Sequence, residues 1–335
     1  MNRSLAAVVA LLTIVMALPS RVTAQEEPAR EKSMAEQLVD AFNRVFGSHP
    51  GLRANHPKGV VLEGVFTPSA SAALLSKAAH LQRHKKPIPV TVRFSAGSGL
   101  PTVSDTDEMP RGMAVKFTLP DGAQTDLVVL SYNGFPVATA EEFRDFLLAV
   151  AESGPDAPKP TAIETFLDSH PAAKQFVGTP KPQPVSYATL PYFGINAFKF
   201  TNAKGTTTIG RYQLQPVAGS QFLSNDQIAA KGPDYLTDEI RERIRHSPAK
   251  FKLLVQVAAK DDKIDDPSTV WPDTRKKVEL GTITITKTVA DSQTAEKKLL
   301  FLPNALVPGI EAADPMIAAR SASYIVSLSR RAQSQ

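Results

Sequence analysis

The sequence predicts an α+β protein built on one closed antiparallel β-barrel with helices around it. Three observations carry that expectation. Short β-branched or alternating runs, separated by turn residues, follow one another at 60–66, 89–94, 112–117 and 126–130. A helical stretch then interrupts them. Strand signals return at 197–201, 206–216, 251–257 and 278–288. A sheet that resumes after a helical insertion, with alternating faces throughout, fits one barrel better than two stacked domains.

Taken in order, the first residues read as a secretory signal. Arg3 supplies a positive start, Leu5 to Leu18 an apolar core too short to span a bilayer, and Val22-Thr23-Ala24 a small-residue cleavage site. The mature chain is expected to begin near Gln25 in the periplasm, an uncleaved anchor being the alternative. Residues 25–36 are charged and poor in apolar side chains, which predicts a mobile leader before a single domain at 37–335. Leu38, Phe42, Val45 and Phe46 have helical spacing, so 35–46 reads as an amphipathic helix. Two helices are expected at 141–153 and 162–170, divided by the Pro-rich 154–160, and another at 237–246. The barrel should span about 57–290, leaving 291–335 as a C-terminal segment. There Asp314 and Pro315 make an N-cap and first helical position, followed by a helix from Met316 to about Arg330.

Composition narrows the chemistry. The 335 residues include no cysteine, which removes disulfides, thiolate metal sites and cysteine nucleophiles together. Chemistry is left to His, Tyr, Arg, carboxylates or a cofactor. The net charge of +5 comes from scattered lysines and arginines, with no basic block or interleaved aromatic pattern, so no nucleic acid partner is expected. After the signal, no run approaches the roughly 18 apolar residues of a membrane helix, so no membrane association is expected after cleavage. Of the histidines beside His56, only His80 and His84 are spaced i,i+4. They stand among Gln82, Arg83, Lys85 and Lys86, which reads as an exposed basic helix end and not as a zinc site.

Two short stretches hold the functional interest. In RANHPKG, Arg53 stands three residues before His56 and Pro57 blocks helix formation. On the C-terminal helix Arg320, Tyr324 and Arg331 share one face if the helix lasts that far. A cation one turn from a phenol favours the phenolate, and tyrosinate is a known haem ligand. Each feature alone also fits a bland reading: a turn histidine, a turn asparagine at Asn133, a half-buried tyrosine beside a surface arginine.

Their company identifies a resemblance. Arg53-x-x-His56-x-Lys58-Gly59 is followed by Val-Arg-Phe-Ser at 92–95 and Pro-Arg-Gly-x-Ala-Val-Lys-Phe at 110–117. Then come Asn133-x-x-Pro136, Trp271-Pro272, the stretch 303–311 ending Pro-Gly-Ile-Glu, and Arg320-x-x-x-Tyr324. In this order and spacing the chain resembles the haem catalases, and more closely the short exported catalase-related peroxidases. The resemblance implies an eight-stranded antiparallel barrel packing haem b against a helix that bears the axial ligand. It implies that Tyr324 binds the iron and that Arg320 keeps it ionised. His56 would be the distal acid–base, Ser95 the group that fixes its tautomer, and Asn133 the amide that orients peroxide. Arg53, Arg93 and Arg331 would hold the haem propionates, and Phe146 would stack on the haem.

Departures from the family's pattern refine the expectation. Large catalases carry an acid immediately before Pro-Arg-Gly; here Met109 stands there, with Asp107 and Glu108 upstream. Asn55 replaces the usual valine before the distal histidine, which should make the pocket more polar. Val137 and Ala138 replace aromatics, which should open the distal side, and Asn196 replaces a histidine below the haem. The wrapping segment, helical tail and long N-terminal arm of the large enzymes have no counterpart, so a monomer or small homo-oligomer without NADPH is expected. Together these features point to a peroxidase acting on peroxide and small organic donors, with weak or absent catalase activity. The rivals are a hydroperoxide-rearranging haem enzyme of the allene oxide synthase kind and a non-enzymatic exported carrier of haem or an apolar ligand.

Overall fold

The computed structural model describes residues 30–334, so the expected signal peptide and most of the leader lie outside the described residues. Helix α1 (Met34–Phe46) comes first and buries Leu38, Val39 and Ala41. Ser33 and Glu36 close a reciprocal capping box that satisfies its first amides. The leader therefore ends sooner than residue 36, because 34–36 are already helical.

Strands β1 (Gly59–Pro68), β2 (Ile88–Ala96), β3 (Arg111–Thr118) and β4 (Gln124–Leu130) form an antiparallel meander, with the short helix α2 (Ala72–Leu75) between β1 and β2. Helices α3 (Ala140–Ala151), α4 (Ala162–Ser169) and α5 (Pro171–Gly178) make the insertion. Thr139 with Glu142 and Thr161 with Glu164 box the first two, and Pro171 starts the third where its missing N–H is not needed. The sheet resumes with β5 (Tyr192–Phe193), β6 (Phe198–Thr201) and β7 (Thr207–Pro216). Helices α6 (Asn225–Ala229) and α7 (Tyr235–His246) precede β8 (Ala249–Val257) and β9 (Lys277–Thr288). Helix α8 (Ser292–Lys298), strand β10 (Ile310–Ala312) and helix α9 (Met316–Gln333) complete the order.

The strands lie in the order β10-β6-β7-β5-β4-β3-β2-β1-β9-β8, and β7 also pairs with β8. That last pairing closes eight strands into an antiparallel barrel, as expected. Its membership differs from the eight runs read in the sequence. One edge of β7 is shared, with Thr207 to Gly210 pairing β6 and Gln213 and Leu214 pairing β5. Two-residue β5 reaches Leu130 of β4 and closes the ring, while β6 and β10 extend from its side.

Large aromatic rings fill the barrel. Phe94 stacks on Tyr187 at 5.0 Å, and Tyr192 and Phe251 pack around them. Burying each such side chain contributes about 1.5–3 kcal/mol. A barrel filled this way is a core and not a ligand chamber, so the site must lie against its outside or rim. Strand alternation supplies that face: Val92 and Phe94 join the core, which turns Arg93 and Ser95 to the opposite side.

The expected exposed histidine pair is corrected. His80 is 3% exposed, with its ring 5.0 Å from that of Phe117 and close to Phe66, because the 79–81 turn folds inward onto the sheet. Desolvation there pushes its pKa down to about 3. Among the described residues no cluster of His, Asp or Glu could hold a metal ion, and no helix is long and apolar enough to cross a membrane.

Candidate active site

Strand register gathers the residues expected on the distal side. Gly59 of β1 pairs with Ser95 of β2, Ser95 with Gly112 of β3, and Gly112 with Leu130 of β4. His56 lies three residues before Gly59 and Asn133 three after Leu130, so both belong to the same end of the barrel. Two glycines in this row are required by close approach. A Cβ on Gly59 would lie 2.5 Å from Arg93 Nη2, and one on Gly112 would lie 2.6 Å from Ser95 Oγ and 3.2 Å from the His56 ring.

His56 is the one non-glycine residue with positive φ among the described residues, at 57°. Such backbone costs about 1–3 kcal/mol and persists where neighbours over-determine it. Here its N–H donates to Asn55 Oδ1 (3.0 Å) and Ser98 O (2.9 Å), and its carbonyl accepts from Arg93 Nη2 (2.8 Å). Ser95 Oγ lies 3.1 Å from Nδ1, so this contact engages Nδ1 and not Nε2. Burial first, and the charge of Arg93 second, lower the imidazole's pKa to about 4, so the ring is neutral at pH 7. The amide oxygen of Asn55 accepts from the backbone of His56.

Helix α9 runs to Gln333, far enough for Arg320, Tyr324 and Arg331 to share a face. Arg320 Nη2 donates to the Tyr324 hydroxyl at 3.1 Å, and Nη1 donates to Asn196 Oδ1. Asn196 Nδ2 in turn donates to Asp314 Oδ2 (2.7 Å), and Asp314 Oδ1 accepts from the Met316 N–H (2.9 Å). Asp314 therefore caps α9 chemically and anchors the arginine chain as well. The sequence reading assigned it only the cap. Ala54 N–H donates to Ser327 Oγ (3.2 Å), which seats α9 directly on the segment that carries Arg53 and His56.

Arg53, Arg93 and Arg331 come together beside α8. Arg53 donates to Leu299 O (2.6 Å), Arg331 to the same carbonyl (2.8 Å), and Arg93 to Glu296 Oε2 (2.8 Å). Burial and the charges of Arg93 and Arg331 push the Arg53 guanidinium down to about 8. Glu296, absent from the sequence reading, is the acid beside all three. Nε of Arg93 and of Arg331 are buried without a hydrogen-bond partner. Excess positive charge and unused donors fit a group with two carboxylates, and a phenol backed by guanidinium fits a ferric ligand. The residues present thus fit haem.

Asn133 is half-buried in the loop after β4, whose Ser131 is tied to the start of β3 through Arg111. Phe146 is buried on α3 with ring partners Phe143 and Phe166, in the cluster that also buries Val137. Val137 thus packs into the helices. Lys58 bridges Asp105 and Asp234 (both 2.9 Å), tying β1 to the loops around it. The Glu108 carboxylate accepts from the Lys181 N–H.

Comparison with known proteins agrees with this geometry. A family model described as Catalase matches residues 37–334. A catalase-related peroxidase of Mycolicibacterium paratuberculosis is 37% identical over 300 residues, covering 88% of this chain and 94% of that protein. Another from Synechococcus elongatus is 32% identical over 301 residues, with 88% of each chain covered. Catalase-2 of Bacillus subtilis is 29% identical over 292 residues, which are 81% of this chain but 42% of that longer one.

Proposed function

The chain belongs to the catalase family, whose members depend on haem, and on that premise we propose that it is a periplasmic haem peroxidase. It uses hydrogen peroxide or organic hydroperoxides to oxidise small organic donors and has weak or absent catalase activity. The observation that carries this reading is the meeting of two segments. The Arg53–His56 stretch and helix α9 touch through Ala54 and Ser327, bringing a neutral imidazole, an arginine-backed phenol and three arginines to one barrel face.

Haem supplies an iron able to exchange electrons with a peroxide. Tyr324 would hold that iron, with Arg320, steadied by Asn196 and Asp314, donating to the phenol oxygen. Arg53, Arg93 and Arg331 would hold the propionates. Neutral His56 accepts a proton at Nε2 from the inner peroxide oxygen and returns it to the departing one, while Ser95 keeps the ring in place. Asn133 at the same rim donates its amide to the peroxide. Met109 in place of an acid before Pro-Arg-Gly supports slow delivery of a second peroxide and favours donor oxidation.

Peroxide-dependent oxidation of a dye by haem-loaded wild type and His56→Ala tests the assignment. A loss of about 10²–10⁴-fold is expected, and equal rates would remove the peroxidase reading. Comparing dye oxidation with peroxide disproportionation in the same preparation tests the preference for donors. Export is checked by N-terminal sequencing of the envelope-released protein, where Gln25 is expected and retention of residues 1–24 would overturn the location.

A further inference from the structure

Helix α8 meets the arginine cluster with its carbonyl end. Arg53 donates through Nη1 to Glu296 O (3.4 Å) and through Nη2 to Leu299 O (2.6 Å). Arg331 Nη2 reaches Leu299 O at 2.8 Å, and Arg93 Nη2 reaches the Glu296 carboxylate at 2.8 Å. Carbonyls at a helix C-terminus carry partial negative charge and favour cations. Glu296 and Leu299 thus orient guanidiniums that come from three different parts of the fold: the lead-in to β1, β2 and α9. The contacts use terminal nitrogens and leave Nε of Arg93 and Arg331 buried and unpartnered. The cluster thus keeps donor capacity that α8 does not use. Charge points the same way. Three arginines against one carboxylate are two negative charges short, and haem carries two carboxylates. Without Glu296 one buried positive charge would remain unmatched even with haem in place, a costly arrangement. Arg93 is 5% exposed and the Glu296 side chain 14%, so water screens this pair little.

We propose that Glu296 is a resident part of the haem-propionate site: it neutralises Arg93 before the prosthetic group arrives and remains beside the propionates afterwards. The inference rests on the reading of Arg53, Arg93 and Arg331 as propionate ligands.

Melting temperatures of wild type and Glu296→Gln, each without haem, with haem and with haem dimethyl ester, test it. Without haem, Glu296→Gln should melt about 5 °C or more below wild type, as expected when one partner of a buried pair is removed. Haem should recover part of that loss and leave the rest, because its two carboxylates can match only two of the three arginines. The dimethyl ester, which has none, should not. Full recovery with haem, an equal loss with and without haem, or no loss in either state, would overturn the proposal. If Glu296→Gln does not fold without haem, titration with haem decides: recovery of folded protein supports it, and no recovery sinks it. Arg331→Gln keeps the two readings apart. Should wild type and Arg331→Gln both take up haem and its dimethyl ester with equal affinity, the propionate reading itself fails. Should Arg331→Gln lose only the preference for free haem while Glu296→Gln melts like wild type, the assignment of Glu296 alone fails.

Discussion

At His56 the backbone sits at φ 57°, and the amide oxygen of Asn55, the Ser98 carbonyl, Arg93 and Ser95 all bear on the residue. The same enclosure that holds the ring sets its titration. With the pKa lowered to about 4, the imidazole stays neutral and able to accept a proton well below its ordinary range. The reaction with peroxide should therefore keep its rate from neutral pH down to an acid limb near 4, read from stopped-flow rates against pH; a limb near the ordinary histidine value of about 6.5 would contradict this. His80 makes the contrasting case, a depressed imidazole in a core of phenylalanines with no proton to move. Its folded pKa is lowered to about 3, so between there and the ordinary value near 6.5 the unfolded chain binds the proton first. The stability linked to His80 is complete above that window and is lost as pH falls through it. His80→Leu should then gain melting temperature over wild type at pH 4.5 relative to the difference at pH 7.5. Neither environment is visible in the sequence, where both histidines stand beside basic residues and turns.

Among the elements, the register of β1 to β3 positions His56 and Ser95, and the face of α9 positions Arg320 and Tyr324. Gly112 shows how narrow the first tolerance is, since a Cβ there would meet both Ser95 Oγ and the His56 ring. Gly112→Ala should bind haem with unchanged affinity, because no propionate or iron ligand is touched. It should nevertheless lose peroxide reactivity about as severely as His56→Ala. Normal activity in that variant would mean that the row is looser than drawn. The α9 face was the more legible of the two: an arginine and tyrosine four apart, with an arginine seven further on, need only a helix to align. The Asn196–Asp314 anchor was not legible, because its members are 118 residues apart and meet only when β6 and the start of α9 pack together. Glu296 escaped notice for a similar reason. Nothing in SQTAEKK marks Glu296 as the residue that meets the arginines.

In the whole molecule, a barrel filled with aromatic rings excludes ligand from its interior and gives its outer face the chemistry. The filling is not perfect in polarity. Tyr187 is fully buried, its hydroxyl has no hydrogen-bond partner, and burial drives its pKa far above the ordinary phenol value. Tyr187→Phe removes that unpaired group while keeping the stack on Phe94, so it should melt at or above wild type, by about 1 kcal/mol at most. A clear loss of stability would show that the hydroxyl has a partner in solution. Local pattern was sufficient for most of the secondary structure, for the antiparallel class and for the residues that resemble the family's site. These depend on alternation, caps and spacing within a few residues, which a chain displays directly. Closure through two-residue β5 rather than the stronger 197–201 run was beyond that reach. So were the strained backbone of His56, the inward turn of His80 and the convergence of three arginines on one glutamate. Each depends on which distant segments share an edge or a buried volume, and that is decided only when the barrel closes and α8 and α9 pack against it.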